Sequence, residues 1–355
     1  MCNGLIGEFE KHYGTIAMFP FRSDIWRENA VHMQRYILDL VSIISKYEPV
    51  FLFCPKYLES QIGILPNNVT VVFSEYDDIW ARDIGPSFIR CEGNIETVDW
   101  KFNAWGGKKE GAYYPWSADD SFASIVSDYF HIPCHRVNLV LEGGGIVSDG
   151  IGTIFATRSV LLNRNRNPFK KREYIEKTIL NATHDQRIVW IEQGLFSDET
   201  NGHIDNILSF INHKEVCLAW TEDRANPNYH RVRKAYDVIS NITNLNNEKY
   251  NIHFVPLPPT QYMDEIEAEG LTCNSDALTR NAGDILPASY LNFYLINGAV
   301  LIPAFNCEMD EIVKSLFRNI FLDRDVIQVY SREPLLGGGG IHCLLHEIPL
   351  LEESI

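Results

Sequence analysis

The chain has 355 residues, 45% hydrophobic and 22% charged, which is ordinary globular material with enough apolar residues for a sizeable core. Its 47 acidic residues against 31 basic ones leave a formal charge of −16 and no basic patch, so nucleic acid is excluded as an expected partner. No apolar run approaches the ~18 residues of a membrane span, and MCNGLIGEFEKHYG at the N-terminus lacks the basic start and apolar stretch of a signal peptide, so neither membrane nor secretion is expected and the cytoplasm is the default.

In chain order, a helix is predicted over 23–46, then the short apolar strands FLFCP and TVVFSEY. SFIRCEGNIETVDW (87–100) reads as a hairpin turning at Gly93-Asn94, followed by a helix over 117–130 with Ser117 as N-cap and the strand RVNLVLE. GIVSDGIGTIFATR (145–158) is a second hairpin around Gly150 and Gly152, followed by a helix over 167–180 capped by Asn167 and the strand RIVWIEQ. DNILSFINHKEVCLAW (205–220) turns at Asn212, His213 and Lys214, before a helix over 228–242 and the strand NIHFVPL. SYLNFYLINGAVLIPAF (289–305) turns at Asn297-Gly298, a pair suited to a tight hairpin, before a helix over 308–321 and VIQVYS. IHCLLHEIP (341–349) begins one more such strand.

Hairpin, helix and strand thus recur about five times at a spacing near ~60 residues, which points to α/β units packed around an axis rather than a doubly wound sheet. The plainer alternative is a generic α/β protein with coincidental hairpins. No linker or composition break appears, so one domain over 1–355 is expected. The eight cysteines are scattered without a CxxC, against a zinc ribbon or a disulfide scaffold and in keeping with a reducing compartment. Cys54, Cys91, Cys134, Cys217, Cys273 and Cys307 read as small apolar packing residues.

The polar residues fall at matching places. Asp83 precedes the first hairpin in DDIWARDIGPSF, Glu142 precedes the second in LEGGG, His203 and Asp205 open the third in NGHIDN, and Cys343 opens the last strand. Asp83 to Glu142 is 59 residues and Glu142 to His203 is 61, so units around an axis would bring them to its centre. In an extended chain His203 and Asp205 share one side, opposite Ile204. Taken singly, the His–Asp pair reads equally as a salt bridge and Glu142 as an acid beside a turn. Together, carboxylates around a thiol suppress the thiolate, which suits no attack on a neutral amide. A guanidinium is a planar cation with paired N–H donors; carboxylates would bind it, and its charge would offset theirs. The constellation therefore points to guanidine or amidine chemistry. HExxH, GxSxG and the P-loop pattern are absent, and a metal site of His203, Asp205 and Cys343 is supported by neither spacing nor a cysteine pair.

These motifs, with VDWKFNAWGGK (98–108), LLNRNRNP (161–168), DETNGHIDN (198–206), ASYLNFYLINGAVLIPAF (288–305) and GGGGIHC (337–343), resemble the agmatine deiminases of the guanidino-group-modifying superfamily nearly end to end. The resemblance implies a five-bladed α/β propeller, the pentein fold, of pseudo-fivefold ββαβ repeats around a central active site. It implies a hydrolase that converts agmatine to N-carbamoylputrescine and ammonia, in polyamine metabolism, through a covalent thiouronium on the cysteine. Carried onto this chain, Cys343 would be the nucleophile, His203 the general acid/base, Asp83 and Asp205 the grip on the guanidinium, and Glu142 the residue orienting His203. No metal or organic cofactor is implied, the partner is a small cationic guanidino substrate, and a homo-oligomer is left open. Two departures stand out: Gly340 where many members have Asn, and IGEFEKHYG in place of a Met-Pro-Ala-Glu start.

The rival readings are an arginine or peptidylarginine deiminase, and a guanidine-binding protein without turnover. Trp80 is a candidate for the substrate channel, with a core tryptophan as the alternative. Glu199, four residues before His203, is a candidate partner for agmatine's ammonium, against a solvated loop acid. His342, placed in a strand, would point away from the site and reads as structural. The run Gly337–340 reads as backbone in close approach to the substrate rather than a linker.

Overall fold

A computed structural model describes residues 4–351, so Cys2 and the first and last few residues lie outside the described ones. Five sheets share one plan, in which an antiparallel hairpin is followed by a helix and a strand parallel to the second hairpin strand. The hairpin Ser87–Cys91 and Asn94–Lys101 takes Cys134–Val140 as its parallel neighbour, after the helix Phe122–Tyr129. Ile146–Ser148 and Thr153–Thr157 take Arg187–Ile191, after Arg172–Thr183. Leu208–Asn212 and Glu215–Trp220 take Asn251–Pro256, after Tyr229–Ser240. Tyr294–Ile296 and Ala299–Ala304 take Asp325–Tyr330, after Met309–Ile320.

The fifth sheet joins the two ends of the chain. The strand His346–Pro349 pairs antiparallel with His12–Met18, which pairs in parallel with Val50–Cys54, and that with Val69–Phe73. Sequence reading missed the strand His12–Met18, because its hairpin partner lies more than three hundred residues away. All five residues of Val50–Cys54 are buried. That is why VFLFC reads as an unbroken apolar run: a central parallel strand has both faces covered. Each helix lays an apolar stripe on its sheet. In Met309–Ile320 the buried residues are Asp310, Val313 and Phe317, and each fully buried aliphatic or aromatic side chain contributes ~1.5–3 kcal/mol. Asp310 is buried because its carboxylate accepts the backbone N–H of Phe305 and Cys307 and the Tyr290 hydroxyl, at 3.0, 3.1 and 2.6 Å.

Several local expectations are corrected. The first helix is Val31–Ile44, shorter than 23–46, because Glu28, Asn29 and Ala30 all have positive φ (52, 56 and 67°) and break the helical path. The first hairpin turns at Glu92-Gly93, with Asn94 already in the strand. Asn167 caps no helix. Its amide instead clamps Val140, accepting from the backbone N at 3.1 Å and donating to the carbonyl at 2.7 Å, and the helix starts at Arg172. Ser117 is likewise no cap, because a 3-10 turn Asp119–Ser121 intervenes before Phe122. Cys54 and Cys217 pack in the core, but Cys273 is exposed in a surface loop. Among the described residues no helix is long and apolar enough to cross a membrane.

Candidate active site

A short turn precedes the first hairpin strand of each sheet, and the polar residues singled out from the sequence sit in these turns. Asp83 is in the turn Ala81–Ile84, Glu142 precedes Gly143–Gly145, His203 precedes Ile204–Asn206, and Cys343 is in Ile341–Leu344. Asn292 stands at the equivalent place before Tyr294–Ile296. The turn Ile341–Leu344 packs on Ala81–Ile84, that on Gly143–Gly145, and that on Ile204–Asn206. Asn292 Nδ2 then links the third turn to the last, 3.1 Å from Asn206 Oδ1 and 3.2 Å from Cys343 Sγ.

Gly144 shows how tightly the centre is drawn in. A Cβ there would stand 2.7 Å from His203 Nδ1, 2.8 Å from Asp83 Oδ1 and 3.0 Å from Asp205 Oδ2. The fourth residue of LEGGG must therefore be glycine for the carboxylates and the imidazole to share one point. Its backbone N–H donates to Asp83 Oδ1 at 2.9 Å, and Trp105 Nε1 donates to Asp83 Oδ2 at 2.8 Å. The extended reading of His203-Ile204-Asp205 is corrected: Ile204–Asn206 is a 3-10 turn. Both polar side chains still reach the centre, because Asp198 folds the loop back by accepting from the backbone N of His203 at 2.9 Å and Asn206 Nδ2 at 3.1 Å.

His203 is buried, with Nδ1 3.7 Å from Asp83 and Nε2 3.7 Å from Glu142. Burial disfavours its charge, but Asp83, Glu142, Asp198 and Asp205 outweigh burial and raise its pKa to about 9. Burial raises Asp83 to about 6, with Asp205 and Glu142 adding to the rise and His203 opposing it. Burial would also raise Glu142, yet the Arg166 guanidinium and His203 hold it down at about 2. Arg166 Nε donates to Glu142 Oε1 at 2.6 Å in a pair wholly shut off from solvent. Cys343 Sγ lies 3.8 Å from Asp205 Oδ2. Burial, then Asp205 and Asp83, push its thiol pKa well above the ordinary value.

A cleft of about 500 Å³ opens over Cys343, lined by Trp80, Asp83, Trp105, Glu199, Arg280 and the glycine run. Trp80 is buried and also lines this cleft, edge-on to Trp105 at 6.1 Å and against Trp26 at 5.4 Å. The glycines pass close to side chains: a Cβ at Gly337 would strike Trp26 at 2.3 Å, and one at Gly339 would strike Trp80 at 2.4 Å. Gly338, at φ +99°, leaves room for Glu199. Glu199 lines the cleft, but its carboxylate is already paired with Arg280 Nη2 at 2.7 Å.

The run 341–344 is a helical turn rather than a strand, and this corrects the reading of His342. Its ring faces the centre, with Nδ1 2.9 Å from Asp205 Oδ2 and Nε2 2.7 Å from Glu8 Oε2. The two departures also find a physical account. The space beside Gly340 is taken by Asn292 Oδ1, which accepts from the backbone N of His342 at 2.9 Å and supplies a polar contact to this turn. The N-terminal GEFE brings Glu8 to the back of the site. Sequence reading missed Glu8, Trp105, Arg166, Arg280 and Asn292. Trp105, Arg166 and Asn292 lie inside the quoted motifs, where their polar character was the available signal; Arg280 carries none. Among the described residues no group of three or more His, Cys, Asp and Glu side chains is arranged to hold a metal ion.

The family model of the Porphyromonas-type peptidyl-arginine deiminases matches residues 4–349. An agmatine deiminase of Stutzerimonas stutzeri (strain A1501) is 37% identical over 346 residues, covering 96% of this chain and 94% of that protein. The structure described as agmatine deiminase of Enterococcus faecalis catalyzing its reaction superposes with a TM-score of 0.93 at 31% identity, covering 98% of this chain and 95% of that one. The C. jejuni agmatine deiminase, 23% identical, shares the mixed α/β fold with a TM-score of 0.81 over 99% of this chain and 97% of that one. The chain belongs to the Porphyromonas-type peptidyl-arginine deiminase family and, with the agmatine deiminases, to the pentein superfamily.

Proposed function

We propose that this chain hydrolyses agmatine to N-carbamoylputrescine and ammonia, and that its five sheets are the blades of a single-domain propeller around Cys343. The observation that carries the reaction is a buried thiol beside carboxylates, with Asp205 Oδ1, Glu142 Oε2 and His203 Nε2 all buried and without hydrogen-bond partners. Of these, Asp205 Oδ1 and Glu142 Oε2 are acceptors, costly to bury unless a ligand satisfies them, and a guanidinium supplies the N–H donors they lack, while His203 Nε2 keeps a free N–H. The succession of touching turns supports the blade arrangement, and the S. stutzeri and E. faecalis agmatine deiminases support the substrate.

In this reading Asp83 and Asp205 grip the guanidinium, and Trp80 and Trp105 wall the cleft. The arriving cation offsets the carboxylates, the thiol loses its proton to solvent, and the thiolate attacks the central carbon. His203, an imidazolium by virtue of its carboxylate neighbours, protonates the leaving nitrogen; the C–N bond breaks and ammonia departs. The thiouronium left on Cys343 is attacked by water, whose proton His203 takes. Collapse breaks the C–S bond, frees the ureido product and sends the hydroxyl proton to solvent. Glu142, anchored by Arg166, orients His203. Glu199 faces the substrate's far end, where Arg280 shares its charge.

The test is ammonia release from agmatine, free arginine and a peptidylarginine side by side. Agmatine is expected to give the highest kcat/KM. A preference for either arginine substrate overturns the substrate, and agmatine binding without ammonia overturns the enzyme.

A further inference from the structure

Resting on the reading of Cys343 and Asp205 above, we propose that His342 is a positioning residue: a buried imidazolium that holds one oxygen of Asp205 and is itself held by Glu8, so that the N-terminal segment forms the back wall of the guanidinium clamp.

His342 is only 4% exposed, and each ring nitrogen meets a carboxylate oxygen, Asp205 Oδ2 at 2.9 Å and Glu8 Oε2 at 2.7 Å. A neutral imidazole has one donor and one acceptor, and an ionised carboxylate only accepts. Both contacts are therefore hydrogen bonds only if both nitrogens carry protons. The backbone fixes where the ring starts, since His342 N donates to Asn292 Oδ1 at 2.9 Å. Asp205 is thereby divided: Oδ2 is engaged by His342, and Oδ1 is buried without a partner, available to a substrate N–H.

The surrounding charges agree. Around the ring stand Asp205 from the third turn, Glu8 from the N-terminal segment and Arg82 from the first turn, with Cys343 next in the chain, and His346 and Glu347 of the last strand act on Glu8 and Arg82 behind them. Arg82 opposes a charge on His342, but it is tied to Glu8 at 3.0 Å and to Glu347 at 2.5 Å. His346 leaves Asp205 and Glu8 to His342: its Nε2 meets the Pro86 carbonyl at 2.7 Å, its Nδ1 lies 3.7 Å from Glu347, and burial pushes its pKa down to about 4. For His342, burial and Arg82 act downward, and Glu8 and Asp205 outweigh them, raising it to about 9.

Two measurements on the full chain test this. Nitrogen-15 NMR of histidine-labelled protein near pH ~7.5, where a free histidine is neutral, is expected to show the His342 ring protonated on both nitrogens, assigned by its loss in His342→Gln. A neutral ring overturns the proposal whatever the substrate. In kinetics, His342→Gln keeps a donor and removes the charge. It is expected to raise KM for agmatine about tenfold or more with kcat changed less than about threefold, with Glu8→Gln doing the same to a smaller degree. A loss in kcat equal to the rise in KM marks a merely structural histidine and overturns it. If His342→Gln does not fold, Glu8→Gln decides, since it shifts the His342 Nε2 signal and so assigns the ring, and its kinetics report the smaller rise in KM. If the wild type turns over no agmatine, the functional reading fails while the NMR still decides His342.

Discussion

The two flanks of Asp205 are built differently. On one, His203 stands between Asp83 and Glu142 at 3.7 Å each, with Nε2 unpartnered. On the other, His342 is bonded through both nitrogens at 2.9 and 2.7 Å. Both imidazoles are pushed up to about 9. The difference is how the charge is held. Around His203 it is held by the field of several carboxylates, which leaves an N–H free to move a proton. Around His342 it is held by directed hydrogen bonds, which immobilise the ring. A group that must give up a proton is better served by the first arrangement, and a group that must keep a neighbour still by the second.

The largest blow to the His203 flank is to remove what it serves. Cys343→Ser is expected to lower kcat by roughly 10⁴-fold or more, since serine lacks a strong adjacent base, while the thermal midpoint stays near that of the wild type. Native enzyme quenched during turnover should carry the substrate-derived mass on Cys343; full activity in the serine variant would end the covalent scheme.

Next come the clamp carboxylates. Asp83→Asn and Asp205→Asn should each cost about 1.5–3 kcal/mol in kcat/KM, the worth of a charge-assisted hydrogen bond. The comparison predicts a split between them. Asp83→Asn also removes the largest charge supporting His203 and should lower the basic limb, whereas Asp205→Asn should leave His342 dependent on Glu8 alone. Normal kinetics in either variant removes that residue from the clamp.

The wild-type pH profile of kcat/KM follows from the same groups. As pH falls through about 6, Asp83 takes up a proton and the grip weakens; as pH rises through about 9, His203 loses the proton it must donate. Activity should plateau between these limbs and drop about tenfold one pH unit outside either. A profile still rising above the upper limb contradicts an imidazolium donor.

The smallest effect concerns the mouth of the cleft. Glu199→Gln should lower the agmatine-to-arginine ratio of kcat/KM by about fivefold, modest because Arg280 already shares the carboxylate and the pair is partly solvated. An unchanged ratio means that Glu199 does not read the far end of the substrate.

Much of this molecule was legible in one dimension because its signals are local. A hairpin announces itself in two turn residues, as at Asn297-Gly298, and a helix in its stripe, as at Val313 and Phe317. The same place before each hairpin carried Asp83, Glu142, His203 and Cys343, so the repeat itself pointed at the site. Where expectation and structure part, a distant partner had overruled a local preference. Asn167 would cap a helix in isolation, but Val140 offers its amide both an N–H and a carbonyl. His342 would face outward in a strand, and a helical turn swings it inward.

By itself, then, the sequence determined the elements, their recurrence, and the residue types gathered for guanidinium chemistry, because propensity, turn chemistry and periodicity act over a few residues. Only the tertiary structure decided that His346–Pro349 finds its partner in His12–Met18, that Arg166 holds Glu142, that Asn292 holds Cys343, and that Glu8 reaches His342 across 334 residues. Those pairings depend on which groups burial leaves without water, and a buried donor or acceptor takes whichever partner the packing brings near, however far along the chain it lies.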